Sequence, residues 1–562
     1  ECVKYVRAPI ICNIMNELSL GEYMRKVVIV GGGSAGWMTA AYLNGALNRQ
    51  GRDNNVHITL LESPDIPRIS VGEATIPSMR HLLAVVGVDE NDFMRTTDAT
   101  FKQSIKYVNW VRNDNSFYHH PFSRYEQFPI DHSSADWLKS DRSIPYMETV
   151  SAQPILCEMG RAPVMMSKSA MDPPLNYAYH MNAQKFADYL RDFSMPRGVV
   201  HVQANLSGVN QQENGFIKSI QTDNEMTLSG DLFIDCTGFK AKLIGEAMTI
   251  GVEDCSQWLL CDQAVTMHVP YDSYYPGFVR PYTTATALSS GWVWDIPMQS
   301  QRSIGYVHSS HFISDDDAER EMRAYQGSSA DQLNSRQIKF SVERRHKVWE
   351  GNCIAIGLSG GFIEPLESTG LYLSDLGAVA LAEHFPFDDS HIESMAYRYN
   401  RVLSNRFYEI LDFINMHYCL TKRTDTSFWQ EVQRPERIND RLKAKLEYWT
   451  MRPPTPLDFE DQCFQGLSTA ASSNPAFPHA PVDTAALWNH QSYQCILLGM
   501  NFMDETHDAK SQEQRPQPRV ADAVINRLKE GNKKLPPHEL WLQENVGMGH
   551  YAKASKPAGW VA

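Results

Sequence analysis

The first marked pattern in the chain is an apolar run, Val27-Val28-Ile29-Val30, followed at once by Gly31-Gly32-Gly33-Ser34-Ala35-Gly36 and then Trp37-Met38-Thr39-Ala40-Ala41. β-Prone residues, then glycines, then small and apolar residues predict strand, tight turn and helix. A second run, Val56-His57-Ile58-Thr59-Leu60-Leu61, predicts another strand that ends on Glu62. Helical spacing covers 78–86, 90–97 and 182–191, and strands are predicted at 199–202 and 230–235, the latter closing on Asp235 and Gly238. Segment 99–110 is rich in aromatics and carries Lys102 and Lys106, which share a face whether it is helix or strand. Phe117-Tyr118-His119-His120-Pro121-Phe122 reads as a loop of aromatic and imidazole rings.

From Gln263 the texture becomes β, with runs at 263–270, 283–297 and 303–310 that predict a meander and a second sheet. Within it Trp292 and Trp294 are two apart, hence on one face of a strand. Ser314 followed by Asp315-Asp316-Asp317 reads as a helix N-terminus rather than as metal ligands joined to His308 and His311. Residues 351–370 run from a strand through glycines, including Gly357, to Ser368-Thr369, which opens a helix over about 371–384. Amides at such a helix start form an anion site. From Met395 onward the chain reads as mostly helical, with proline-rich loops at 453–456, 475–481 and 514–518.

No apolar run approaches the roughly 20 residues that cross a bilayer, so no membrane association is expected. With 562 residues, 43% hydrophobic and 21% charged, the chain suits a soluble protein of two to four compact units. A formal charge of -14 argues against a nucleic-acid partner, whose phosphates require a basic face. The ten cysteines are scattered without a CxxC pair, which indicates neither zinc nor a disulfide framework and fits a reducing, cytoplasmic setting. Residues 1–23 precede Met24-Arg25-Lys26 and read as an extension, without the long apolar centre of a signal peptide.

The glycines at 31, 33 and 36 let backbone approach a pyrophosphate, and Glu62, about 26 residues past Gly36, is placed to accept from a ribose. These features make a dinucleotide cradle that suits a dehydrogenase or a monooxygenase alike. The Gly72-Glu73-Ala74-Thr75 loop offers further amides beside it, and Asp235 with Gly238 repeats the logic of strand, acid and glycine turn. His119 and His120 lack partners at ligand spacing, so no metal is expected, and a stacking surface for an aromatic substrate fits them better.

Gly31 to Trp37, Val71-Gly72-Glu73-Ala74-Thr75-Ile76-Pro77, the WxWxIP signature at Trp292 to Pro297 and Glu364-Pro365-Leu366-Glu367-Ser368-Thr369-Gly370 together resemble the flavin-dependent halogenases of the tryptophan-halogenase type. The resemblance spans roughly residues 24–550. It implies an α/β fold with a Rossmann-like FAD-binding domain of the glutathione-reductase/PHBH kind, built from 24–110, 199–250 and 345–385. A second β-sheet substrate region would comprise 111–198 and 251–344, and 386–562 would form a mainly helical part covering the substrate. It implies FAD arriving as FADH2, O2 as cosubstrate, chloride or bromide, and hypohalous acid passing to Lys102, 29 residues after Glu73. Lys102 then hydrogen-bonds this oxidant or forms a haloamine. Glu367 takes the proton from the ring carbon or polarises the oxidant, and Thr369 and Gly370 form the halide site. Gly31, Gly33, Ser34, Ala35, Gly36, Glu62, Ala74, Asp235, Gly238 and Gly357 would hold the cofactor. Trp292, Trp294 and Pro297 would form a barrier between flavin and substrate. Lys102 and Glu367 are expected to shift each other's pKa toward the charged forms. With one cradle and no second for a nicotinamide, a separate flavin reductase is expected, and a homodimer is compatible.

For the substrate, His120, Phe122 and Trp488 match the rings that enclose an indole in the family. The chain departs from the pattern for free tryptophan at Leu487 and Ser492, and Asp483 stands at the position of an expected acid. Losing groups that clamp an amino-acid backbone removes roughly 1.5 to 3 kcal/mol per charge-assisted hydrogen bond, so indole or a substituted indole fits as well as tryptophan. The alternatives are a carrier-bound phenol or pyrrole substrate, a flavin monooxygenase that hydroxylates, and a flavin-binding protein without turnover.

Overall fold

The computed structural model describes residues 25–48, 56–68, 71–125, 131–166, 174–271, 279–456, 458, 487–503 and 520–550. The expectations for residues 1–23, Asp483 and the loops 475–481 and 514–518 lie outside the described residues.

The opening strand–turn–helix is as the pattern predicts. Strand Arg25–Val30 lies inside a six-stranded sheet, paired in parallel with Val56–Glu62 on one side and Leu232–Asp235 on the other. Val200–Gln203 and Cys353–Ala355 extend the parallel array, and Trp349–Glu350 adds an antiparallel edge. Unbroken apolar runs suit such strands because both faces are covered. Helix Ser34–Leu47 packs against two distant helices, Ala183–Ser194 and Gly370–Glu383, which explains why its residues are buried nearly all round.

A seven-stranded sheet runs in the order Ser335–Lys339, Gln263–Pro270, Gln301–His308, Gly291–Pro297, Thr283–Ala287, Ser104–Val108, Phe117–Pro121. The expected meander is its core, although 283–297 is two strands joined by a turn rather than one run. Phe117–Pro121 corrects the loop reading: it is a strand, paired antiparallel with Ser104–Val108. Helix His490–Gly499 packs on it, and most of its side chains are buried whichever face they occupy. The alternation that would mark a half-exposed strand is therefore missing.

Segment 99–110 is also two strands, Thr100–Lys102 and Ser104–Val108, which belong to different sheets. Thr100–Lys102 pairs with Ala178–Asn182, which in turn pairs with Gly72–Ala74. The break at Gln103 separates the two lysines that were expected to share a face. Lys102 is fully buried, whereas Lys106 lies over the Phe117 ring at 4.0 Å and reaches Glu158 at 3.2 Å.

Ser314 accepts from the Asp317 amide at the start of helix Asp315–Gln326, as the acid-rich turn predicts. The 28-residue helix Ile392–Cys419 begins the helical C-terminal part, followed by Asp440–Trp449, His490–Gly499, Ala521–Lys534 and His538–Val546. Among the described residues no helix is long and apolar enough to cross a membrane.

Candidate active site

A cavity of about 550 Å³ opens where the first strand meets its helix. Gly31, Gly33, Ser34 and Ala35 line it, joined by Glu62, Ala74, Gly238 and Gly357 from later segments. Gly31 has φ +118°, and a Cβ there would lie 2.1 Å from the Cys236 carbonyl oxygen. A Cβ on Gly36 would lie 1.9 Å from the Gly31 oxygen, so this glycine serves the turn itself. A Cβ on Gly33 would meet nothing within 4 Å. Its missing side chain leaves open space at a helix start, where a phosphate binds favourably. The site therefore fits a dinucleotide.

Glu62 stands at the cavity wall, its Oε1 accepting from Arg68 Nε at 2.9 Å and its Oε2 from Trp37 Nε1 at 3.3 Å. Arg68 had no signal in the pattern. Asp235 does not line the cavity. Its carboxylate accepts from the amides of Thr237 at 2.9 Å and of Leu243 and Ile244 at 2.8 Å each. This corrects the expectation of direct cofactor contact: an acid at the strand end is captured by the nearest free amides and fixes the loop that carries Gly238.

Trp292 and Trp294 form part of the cavity wall, their ring centroids 6.4 Å apart. The Trp294 ring lies over Gly305, where a Cβ would come within 2.1 Å of it. Pro297 lies off the cavity, and its carbonyl accepts from Thr100 Oγ1 at 2.6 Å, tying the end of this strand to the strand of Lys102.

The Lys102 ammonium donates to Ser368 Oγ at 2.7 Å and to the Thr75 carbonyl at 3.0 Å, and lies 5.1 Å from the Phe122 ring centroid. Ser368 lines the cavity, so the ammonium sits one hydrogen bond behind its wall. Burial pushes the Lys102 pKa down to about 7, with the Glu367 charge pulling it partly back. The expectation of a shift toward the charged form is thus overturned for the lysine, because desolvation outweighs attraction. Burial also acts to raise Glu367, but His120 and His417 outweigh it and hold the carboxylate well below the usual range.

Glu367 is partnered by His120 Nδ1 at 3.1 Å, His417 Nε2 at 3.1 Å and the Tyr107 hydroxyl at 2.5 Å, rather than by Lys102. His417 Nδ1 lies 2.8 Å from the Phe413 carbonyl, which only accepts, so Nδ1 carries a proton. Neither Tyr107 nor His417 was singled out from sequence. The only available signals were Tyr107's place in the segment of Lys102 and the four-residue spacing of His417 from Phe413.

Ser368 has φ +62°, a left-handed conformation that a residue other than glycine adopts at a cost. Helix Gly370–Glu383 begins two residues later. Thr369 Oγ1 is buried without a partner among the described residues, and Gly370 lines the cavity with open space where a Cβ would be. Of the expected substrate residues, Trp488 stacks on Phe413 at 4.1 Å with 9° between planes, and Phe413 lies 5.8 Å from the His120 ring. Ser492 sits in the first turn of helix His490–Gly499, its amide donating to Asn489 Oδ1 at 3.4 Å.

The glycine cradle, with a tryptophan wall and a buried lysine behind it, defines a dinucleotide-binding α/β protein. The tryptophan halogenase family matches residues 26–516, and the chain belongs to that family. It is 34% identical over 500 residues to tryptophan 6-halogenase ThaL of Streptomyces albogriseolus, covering 85% of this chain and 90% of that protein. It is 33% identical over 530 residues to tryptophan 7-halogenase RebH of Lentzea aerocolonigenes, covering 91% and 96%. The fold is similar to that of a tryptophan halogenase from Shewanella frigidimarina, with a TM-score of 0.83, 32% identity, and 94% and 99% of the two chains covered. The protein is a flavin-dependent halogenase.

Proposed function

We propose that this enzyme halogenates a free indole-type aromatic, indole or tryptophan-like, using FAD delivered reduced by a separate reductase, O2, and chloride or bromide. The observation that carries this reading is Lys102, buried one hydrogen bond behind a cavity that fits a dinucleotide. When bound, reduced FAD with O2 and halide supplies hypohalous acid on the cavity side of the wall.

Gly33 and the helix start would hold the pyrophosphate, with Glu62, Ala74, Gly238 and Gly357 around it. Thr369 Oγ1 and the amides opening helix Gly370–Glu383 supply unpaired donors for the halide. Lys102 has two donors engaged by Thr75 and Ser368, which aims a third at the arriving oxidant. Glu367, with His120, His417 and Tyr107 around it, accepts the proton that the ring carbon loses. His120, Phe122 and Trp488 offer flat rings to an electron-rich aromatic. The relatives named for tryptophan support the substrate class, and Leu487 and Ser492 support indoles without the amino-acid backbone.

Wild-type protein with a flavin reductase, NADH and bromide should convert indole to a halogenated product detected by mass spectrometry, with tryptophan in a parallel reaction. Product only from phenols or pyrroles tethered to a carrier protein would contradict the free-substrate reading. Oxygen insertion without halide would contradict halogenation itself.

A further inference from the structure

Glu364 belongs to the segment that ends in Glu367, yet it faces away from the cavity. Its neighbours Ile363 and Pro365 line that space, whereas Glu364 is fully buried behind the wall. Its Oε2 accepts from the Trp292 indole N–H at 3.1 Å and from the Tyr418 hydroxyl at 2.8 Å. Oε1 has no partner among the described residues. Behind Tyr418 lies Cys261, with Sγ 3.5 Å from the phenol oxygen. Burial pushes the Glu364 carboxyl up to about 7, although the bonds from Trp292 and Tyr418 pull it partly back.

A buried acid held by two neutral donors, with one oxygen unsatisfied, is costly. Its presence therefore asks for a role other than stability. Trp292 supplies one: its indole is a panel of the wall, and its N–H is bonded to Glu364. Packing confines this buried ring, and the bonded N–H adds a directional tie that packing does not supply.

We propose that Glu364 is a positioning residue that holds Trp292 in the cavity wall, so that the oxygen reduced in the cavity oxidises halide there rather than leaving as H2O2. The assignment rests on the halogenase reading above. When the panel loosens, O2 takes the two electrons and two protons of the reduced flavin and leaves as H2O2 before halide is oxidised, so no carbon–halogen bond forms.

The test uses the full-length enzyme with reductase, NADH, bromide and indole, and reads brominated product and H2O2 per NADH, melting temperature and FAD affinity. Glu364→Leu leaves the buried Trp292 N–H and Tyr418 hydroxyl without an acceptor, so it should melt a few degrees below wild type, yet bind FAD equally and give about tenfold less product per NADH, with H2O2 rising in step. Glu364→Gln, whose amide oxygen can accept both bonds, should restore most of the yield. In a Trp292→Phe background, Glu364→Leu should cause no further loss, since the two changes remove one interaction. Unchanged product per NADH in Glu364→Leu would overturn the assignment. So would a loss of FAD affinity large enough to account for the lost yield, or Glu364→Gln behaving like Glu364→Leu. Absence of product from the wild type would instead count against the proposed function.

Discussion

Lys102 illustrates how burial sets chemistry. An ordinary lysine is protonated to above pH 10, but the enclosed position of Lys102 brings its pKa to about 7. If the ammonium is the form that meets the oxidant, product yield in a single turnover started with pre-reduced FAD should decline as pH rises through about 7. A yield that climbs across that range would assign the work to the neutral amine. The same shift bears on stability. The unfolded chain binds the extra proton between about pH 7 and 10, so the Lys102 contribution makes stability rise with pH across that window, and the penalty is complete below it. Lys102→Met should therefore raise the melting temperature at pH 6 by a few degrees while abolishing halogenation. A melting temperature that drops would show that the bonds to Thr75 and Ser368 outweigh desolvation.

The strand–turn–helix at 25–47 was readable because its physics is local: β-prone residues, then glycines where backbone crowds backbone, then a helix. Its glycines separate into two kinds that make opposite predictions. Gly33→Val projects into open cavity, so the fold should persist with an unchanged melting temperature while FAD binding is lost. Gly36→Val collides with the Gly31 carbonyl, so the melting temperature itself should fall, by several degrees at least. Equal loss of stability in both would contradict the division. Segment 99–110 was less readable, since the change of sheet at Gln103 follows from partners at 178–182 and 283–287 that no local pattern encodes. Phe117–Pro121 was hidden for a related reason: burial on both faces removes alternation.

The molecule gathers its chemistry from segments far apart in sequence, with Lys102 and Tyr107 on consecutive strands of different sheets, Glu364 to Ser368 beside the helix start, and His417 on the long C-terminal helix. Motifs revealed the residues that carry an unusual local arrangement: the cradle, the paired tryptophans, and the acid before Ser-Thr-Gly. They did not reveal Tyr107, His417 or Arg68, common residue types whose significance comes only from the group they meet in space. The same limit explains why Lys102 and Glu367 were expected to pair, when histidines reach the carboxylate and a serine and a carbonyl reach the ammonium. What unites these groups is the division of labour between the cavity and the lysine behind it. That division is tested by comparing wild type with Lys102→Ala in the reductase-coupled reaction with indole, with and without bromide, while following flavin oxidation and product mass. The wild type should form brominated indole only with bromide, and Lys102→Ala should oxidise flavin at the same rate yet form none. Wild-type yields from Lys102→Ala, or a hydroxylated product that is independent of bromide, would contradict the account.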